Sequence, residues 1–208
     1  MEDVLTVYQG PLDPAHPVIC MDETSKQWVA ETRLPLPVEP GQVQREDYEY
    51  ERCGGANLFL FCEPLIGWRE IQVTERRTRT DWALAMRELS DRYYPAAERI
   101  TVVLDNLNTH GPASFYETFA PHEAQRLVHR FDFHYTPKHG SWLNRAEIEV
   151  SVLSRQCLDR RIGNAETLRR EIQAWTQQRN AASKRVDWQF TTADARTKLK
   201  RLYPIIQT

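Results

Sequence analysis

Three short apolar runs, at residues 18–21, 56–62 and 100–104, constrain this chain more than any other feature. Each is too short for a buried helix and too continuous for a strand with one wet face. They predict strands of a single sheet covered by helices on both sides. Further strands are expected at 27–32, reached from the first by a short turn, at 70–74, and at 131–135, where Phe131, Phe133 and Tyr135 alternate with polar residues. Helical periodicity marks 81–93, 112–129, 142–159, 165–179 and 193–202. Thr80 or Asp81 is expected to cap the first of these and Pro95 to stop it, while Pro121 breaks the second and Asn164 caps the fourth. Pro35, Pro37 and Pro40 lack amide donors and fix φ, so 34–41 reads as an extended loop, followed by an acidic, aromatic stretch at 46–50. The order predicts an α/β fold: a mixed five-stranded sheet, antiparallel at first and parallel later, flanked by helices.

Two of the apolar runs lead into a carboxylate, Asp22 after the first and Asp105 after the third. A Pro/Gly-rich turn then sets Glu147 at the start of an apolar-striped helix. The element order matches the ribonuclease H-like arrangement, whose first and fourth strands lie side by side; Asp22 and Asp105 would then be neighbours. Each acid alone is most simply a turn former, a cap or a complement to a helix dipole. Together they supply hard oxygen donors from three separate elements, which suits a pair of divalent cations on a nucleic-acid backbone. In that reading Asp22 bridges both ions, with Asp105 holding one and Glu147 the other.

Two rivals stand beside these. Glu23 follows Asp22 directly and points to the other face if the strand continues. With Ala146, Val150, Leu153 and Cys157 as the buried stripe, Glu147 and Glu149 fall on opposite margins, so periodicity does not choose between them. Asn106 and His110 lie just past the Asp105 strand, placed to orient a phosphate or a carboxylate. His139, Ser141, Trp142 and Asn144 occupy the turn before the Glu147 helix, placed to touch DNA or to support the site; His139 and Trp142 would equally serve to shape the turn. His129, His134 and His139 recur at five-residue steps but match no zinc spacing.

At 208 residues the chain fits one domain with a real core. It holds no run of eighteen apolar residues, and its acidic first residues form no apolar leader, so a cytoplasmic, nucleoid-associated protein is expected. Cys20, Cys53, Cys62 and Cys157 form no Cys-x-x-Cys pair and read as buried thiols of a reducing compartment. The net charge of -2 conceals an asymmetry: residues 1–64 carry 4 Lys/Arg against 12 Asp/Glu, residues 65–150 carry 11 against 12, and residues 151–208 carry 12 against 5. The basic last third is expected to face a polyanion. Neutralising Arg160, Arg161, Arg169 and Arg170 together should weaken DNA binding and lower the slope of log affinity against log salt by at least about one. An unchanged slope in a fluorescence-anisotropy titration would return these residues to the solvated surface.

The blocks Asp22-Glu23-Thr24-Ser25, Leu104-Asp105-Asn106-Leu107-Asn108-Thr109-His110 and Thr136-Pro137-Lys138-His139-Gly140-Ser141-Trp142-Leu143-Asn144-Arg145-Ala146-Glu147 resemble the transposases of the insertion sequence 630 family. These belong with the mariner-type transposases in the DDE group. Phe190-Thr191-Thr192-Ala193-Asp194-Ala195-Arg196 followed by Lys198-Leu199 is similar to that family as well. The resemblance implies that the third acid is Glu147 rather than Glu149, after a fixed step from Leu143-Asn144. It implies two Mg²⁺ or Mn²⁺ ions at Asp22, Asp105 and Glu147, with water and then a freed 3′-hydroxyl as nucleophile. It also implies double-stranded DNA partners (transposon ends and a TA-containing target) and a homodimer in the active complex.

Family members carry an N-terminal helix-turn-helix that reads the element's ends. Only about sixteen residues precede the first strand here, so the chain is expected to be the catalytic half alone, whether as the second reading frame of a frameshifted element (with a separately encoded helix-turn-helix subunit as partner), a truncated copy or an excised domain. The expected layout is an extension over 1–16, a ribonuclease H-like catalytic domain over 17–180, and a basic tail with a short helix over 181–208. A stand-alone nuclease and a non-catalytic regulator binding DNA or transposase are the alternatives. Asp105→Asn is expected to abolish nicking without unfolding, and Glu149→Gln to leave most activity.

Overall fold

The computed structural model describes residues 1–31, 41 and 49–203. Helix α1 spans Glu2–Tyr8, and strands β1, β2 and β3 span Val18–Glu31, Tyr50–Glu63 and Trp68–Thr74. Helix α2 (Arg79–Glu88) precedes β4 (Ile100–Leu104), α3 (Pro112–Thr118) and α4 (Pro121–Arg130) precede β5 (Phe131–Tyr135), and α5 (Ala146–Leu153), α6 (Ala165–Ala181) and α7 (Thr192–Lys198) complete the chain. The sheet order is β3-β2-β1-β4-β5. The first three strands pair antiparallel, whereas β4 joins β1 and β5 joins β4 in parallel.

Both faces of this sheet are covered, which explains the unbroken apolar runs. Ile19, Met21, Phe59, Phe61, Val102 and Leu104 point toward the layer that includes Trp82, Met86, Phe115 and Leu127. Cys20, Leu58, Leu60, Cys62 and Val103 point the other way, against Leu5, Leu143, Leu153, Leu168 and Ile172. The consecutive residues Leu58, Phe59, Leu60 and Phe61 are all 0% exposed, each contributing roughly 1.5–3 kcal/mol by burial.

The structure corrects several boundaries. The expected strands at 18–21 and 27–32 are one continuous strand as far as Glu31, because Asp22 to Trp28 pair residue by residue with β2 and no turn former interrupts them. A register shift between Trp28 and Val29 absorbs the irregularity. The loop at 34–40, position 32 and the stretch at 46–48 lie outside the described residues. Helix α2 starts two residues early because Thr78, not Thr80 or Asp81, is its cap, in a reciprocal capping box with Asp81. The expected helix at 142–159 is three pieces: a 3-10 turn at Ser141–Leu143, α5, and a π turn at Ser154–Leu158. Likewise 193–202 is α7 followed by a 3-10 turn. The break at Pro121 and the Asn164 cap are as read from the sequence.

Residues 1–16 are more than an extension. Val4, Leu5 and Tyr8 are buried in the same core as β1 and α5. Helix α1 is tied to α7 by Arg196, which donates to both carboxylate oxygens of Glu2 at 2.8 and 2.7 Å, and to β5 by an Asp3–His134 contact of 2.8 Å. Cys20, Cys62 and Cys157 are buried thiols, whereas Cys53 is exposed toward the far end of β2. Among the described residues no helix is long and apolar enough to cross a membrane.

Candidate active site

The parallel ladder between β1 and β4 pairs Val18 with Thr101, Ile19 with Val102 and Cys20 with Val103. Carried two residues further, the same register sets Asp22 against Asp105. Asp22 shares its strand face with Cys20, the face covered by α5. Burial raises the Asp22 carboxyl to about 6, and the charges of Asp105, Glu147 and Glu23 push in the same direction. The carboxylates on β1, after β4 and on α5 therefore act on one another across a partly desolvated space. Among the described residues, however, no three His, Cys, Asp or Glu side chains are gathered tightly enough to hold an ion as they stand.

The turn that delivers α5 is built from the backbone outward. Thr136 N–H donates to Leu104 O at 2.9 Å, which anchors the turn beside Asp105. His139 is exposed and sits at φ 62°, a left-handed conformation uncommon for a residue with a Cβ. Gly140 follows, where a Cβ would lie 2.6 Å from Pro137 Cγ. Asn144 is 2% exposed. Its Nδ2 donates to Met21 O at 2.8 Å, one residue before Asp22, and its Oδ1 accepts from Ala146 N–H at 3.1 Å, an amide left free at the start of α5. Asn144 is thus spent on joining α5 to β1, and its amide is not offered to DNA. Ser141 is exposed, and Trp142 is 43% exposed with its ring edge-on to Phe190 at 5.5 Å.

Beyond β4, Asn106 is exposed and His110 is 2% exposed. His110 stacks on Trp82 at 5.7 Å. Its Nδ1 lies 2.6 Å from Asp105 Oδ1 and its Nε2 lies 2.7 Å from Glu23 Oε1. Burial disfavours a charged ring, but the hydrogen bonds to Asp105 and Glu23 outweigh it and raise His110 to about 9. Charged near neutral pH, the ring hydrogen-bonds Glu23 through Nε2 and forms a close ion pair with the Asp105 carboxylate, its Nδ1 also 3.4 Å from Asp105 O. The sequence left His110 open between holding a phosphate and orienting a carboxylate; its buried position and two carboxylate partners fit the second. Glu23, weighed from sequence only as a rival to Asp22, points to the opposite face and belongs to this pair.

Glu149 has a different fate from Glu147. Glu147 is half-buried, whereas the Glu149 side chain is 2% exposed, between two guanidinium groups. Arg179 donates from Nη2 to Oε1 at 2.9 Å and from Nε to Oε2 at 3.2 Å, and Arg69 Nε lies 3.0 Å from Oε2. Asn180 then accepts from Arg69 N–H at 2.9 Å and donates to Arg69 O at 2.8 Å, fastening α6 to the edge strand β3. No periodicity argument could have found this clasp, because Arg69 lies on β3 and Arg179 lies on α6.

A family model described as DDE superfamily endonuclease matches residues 17–169. The chain belongs to that family. Solved structures with the same fold as this DDE domain include the Mos1 strand transfer complex, at TM-score 0.53 and 13% identity over 87% of this chain and 54% of that one. The pre-cleavage Mos1 transpososome gives 0.55 and 12% over 87% and 58%, and the mariner Mos1 paired end complex with Mg gives 0.52 and 16% over 87% and 53%. The mixed five-stranded sheet flanked by helices is thus the ribonuclease H-like arrangement. The DDE domain spans little more than half the length of these Mos1 chains. No curated protein sequence matches it.

The basic last third is less free than its composition implies. Arg160 is paired with Glu171, whose other oxygen lies 3.8 Å from Arg170 Nη2, and Arg196 is held by Glu2.

Proposed function

We propose that this DDE domain cuts DNA and transfers the cut strand with the help of two Mg²⁺ or Mn²⁺ ions held by Asp22, Asp105 and Glu147. What carries the reading is the β1/β4 register that sets Asp22 against Asp105, together with the push of Glu147 on the Asp22 carboxyl. The donor set fits the ions in kind. All three side chains offer hard oxygens, and a dication would offset the burial and the neighbouring negative charge that disfavour ionised Asp22. Bound there, the ions would stabilise the attacking and leaving oxygens of a phosphodiester displacement.

The residues of this chain have separate parts in that reaction. His110 lies 2.6 Å from Asp105 Oδ1 and steadies that carboxylate by charge. Asn144 keeps the start of α5 against the strand that carries Asp22. The Asp105 side chain is 36% exposed, so its carboxylate is reachable from solvent. Water serves as the first nucleophile and the released 3′-hydroxyl as the second, with no covalent protein–DNA link. The finer lineage is the insertion sequence 630 family, with transposon ends and a TA-containing target as substrates. The active complex is a homodimer in a nucleoid-associated setting.

Conversion of supercoiled plasmid to nicked circle tests this reading. Nicking should require Mg²⁺ or Mn²⁺ and stop when the metal is chelated. Nicking that persists in chelator, or none with either metal on any DNA offered, would overturn it.

A further inference from the structure

Helix α1 carries no residue of the proposed site, yet its last residue reaches the turn that delivers Glu147. The Tyr8 hydroxyl donates to Leu143 O at 2.9 Å and accepts from Arg145 N–H at 3.3 Å. These two backbone groups flank Asn144, the residue that joins the turn to Met21 O. The backbone on either side of Asn144 is therefore held by one hydroxyl, while its side chain is held by β1. The Arg145 guanidinium lies over the Tyr8 ring at 3.8 Å and over Trp188 at 5.4 Å, and the Tyr8 and Trp188 rings meet at 5.6 Å. Burial also pushes the Tyr8 phenol well above its ordinary value, so it stays a neutral hydroxyl that can donate and accept at once. Segments from both ends of the described chain thus close on the turn between β5 and α5.

We propose that Tyr8 is a positioning residue for Glu147: its hydroxyl fixes the Leu143–Arg145 backbone and so sets where α5 begins relative to Asp22. The claim about Glu147 as a metal ligand rests on the function proposed above; the claim about the backbone stands on geometry alone. Glu147 N–H donates to Asn144 O at 3.1 Å, so a shift at residue 144 passes directly to residue 147.

The test is Tyr8→Phe in the full chain, which removes the hydroxyl and keeps the ring under Arg145 and Trp188. Amide hydrogen exchange in the 143–147 segment should accelerate on the order of tenfold, while exchange in α4 stays at the wild-type rate. Mn²⁺ binding, followed by electron paramagnetic resonance of the free ion, should weaken about tenfold. Cleavage at saturating Mn²⁺ should fall far less than cleavage at low Mn²⁺. Thr6→Ala, on the same helix, should leave both readouts at wild-type values. Unchanged exchange at 143–147, or faster exchange there with wild-type Mn²⁺ affinity, would overturn the assignment. Faster exchange everywhere, α4 included, would mark Tyr8 as a general stability residue and overturn it too. If wild-type protein shows no Mn²⁺ binding that Asp105→Asn removes, the metal reading fails, and the exchange result alone then decides the backbone claim.

Discussion

Glu149→Gln should destabilise the fold by about 3–5 kcal/mol, because it removes the buried carboxylate that pairs with both Arg69 and Arg179 without removing either of them. The Arg69 side chain is 1% exposed and that of Arg179 16%, so neither cation recovers its lost partner by turning to water. A neutral amide still accepts one hydrogen bond from each arginine but offsets none of their charge. A domain of this size has roughly 5–15 kcal/mol in all, so the variant keeps only a fraction of it. Urea unfolding followed by far-ultraviolet circular dichroism checks this, with the midpoint dropping and the slope kept. Replacing Glu149, Arg69 and Arg179 together with apolar residues of similar volume should recover much of the loss. A midpoint equal to wild type would contradict the clasp. From the sequence alone Glu149→Gln is expected to leave most activity; the clasp leads instead to the expectation that the variant loses stability although the residue is outside the proposed chemistry.

Asp105→Asn should have the largest effect on activity and a small one on stability. The change keeps size and shape but removes one of the charges proposed to hold the ions. Metal-stabilised transition states involve several kcal/mol, so metal-dependent nicking should fall by about a thousandfold, near 4 kcal/mol in barrier. The fold should survive, because Asp105 lies past the end of β4 with a side chain 36% exposed, and His110 keeps Glu23 as a partner. Initial nicking rates in Mn²⁺, measured beside the thermal midpoint of the same preparation, check both halves. A variant that nicks at the wild-type rate would remove Asp105 from the chemistry; one that fails to fold would show that its role is structural.

How much of this was legible in the chain depends on whether the information was local. The sheet was, because apolar runs such as 56–62 need cover on both faces, and helical segments elsewhere in the chain supply it. Asp22 and Asp105 stood out because each follows such a run. The long β1 was not legible: the polar stretch Asp22 to Lys26 looks like a turn in isolation, and only its ladder with β2 makes it strand. Choosing between Glu147 and Glu149 was beyond periodicity, since what separates them is Arg69 and Arg179, distant in sequence and joined only by the packing of α6 on β3. Tyr8 carried no signal at all, because its hydroxyl bonds backbone groups of residues 143 and 145 and its ring meets Arg145 and Trp188, all distant in sequence. Asn144 was marked by its place in the turn, but that it faces inward follows only from its bond to Met21 O.

The most direct measurement is an anomalous difference map from crystals of the wild-type chain soaked in Mn²⁺. The account predicts peaks among the carboxylates of Asp22, Asp105 and Glu147, lost from crystals of Asp105→Asn. A map with no peak there at saturating Mn²⁺, or with peaks only at other carboxylates, would contradict it.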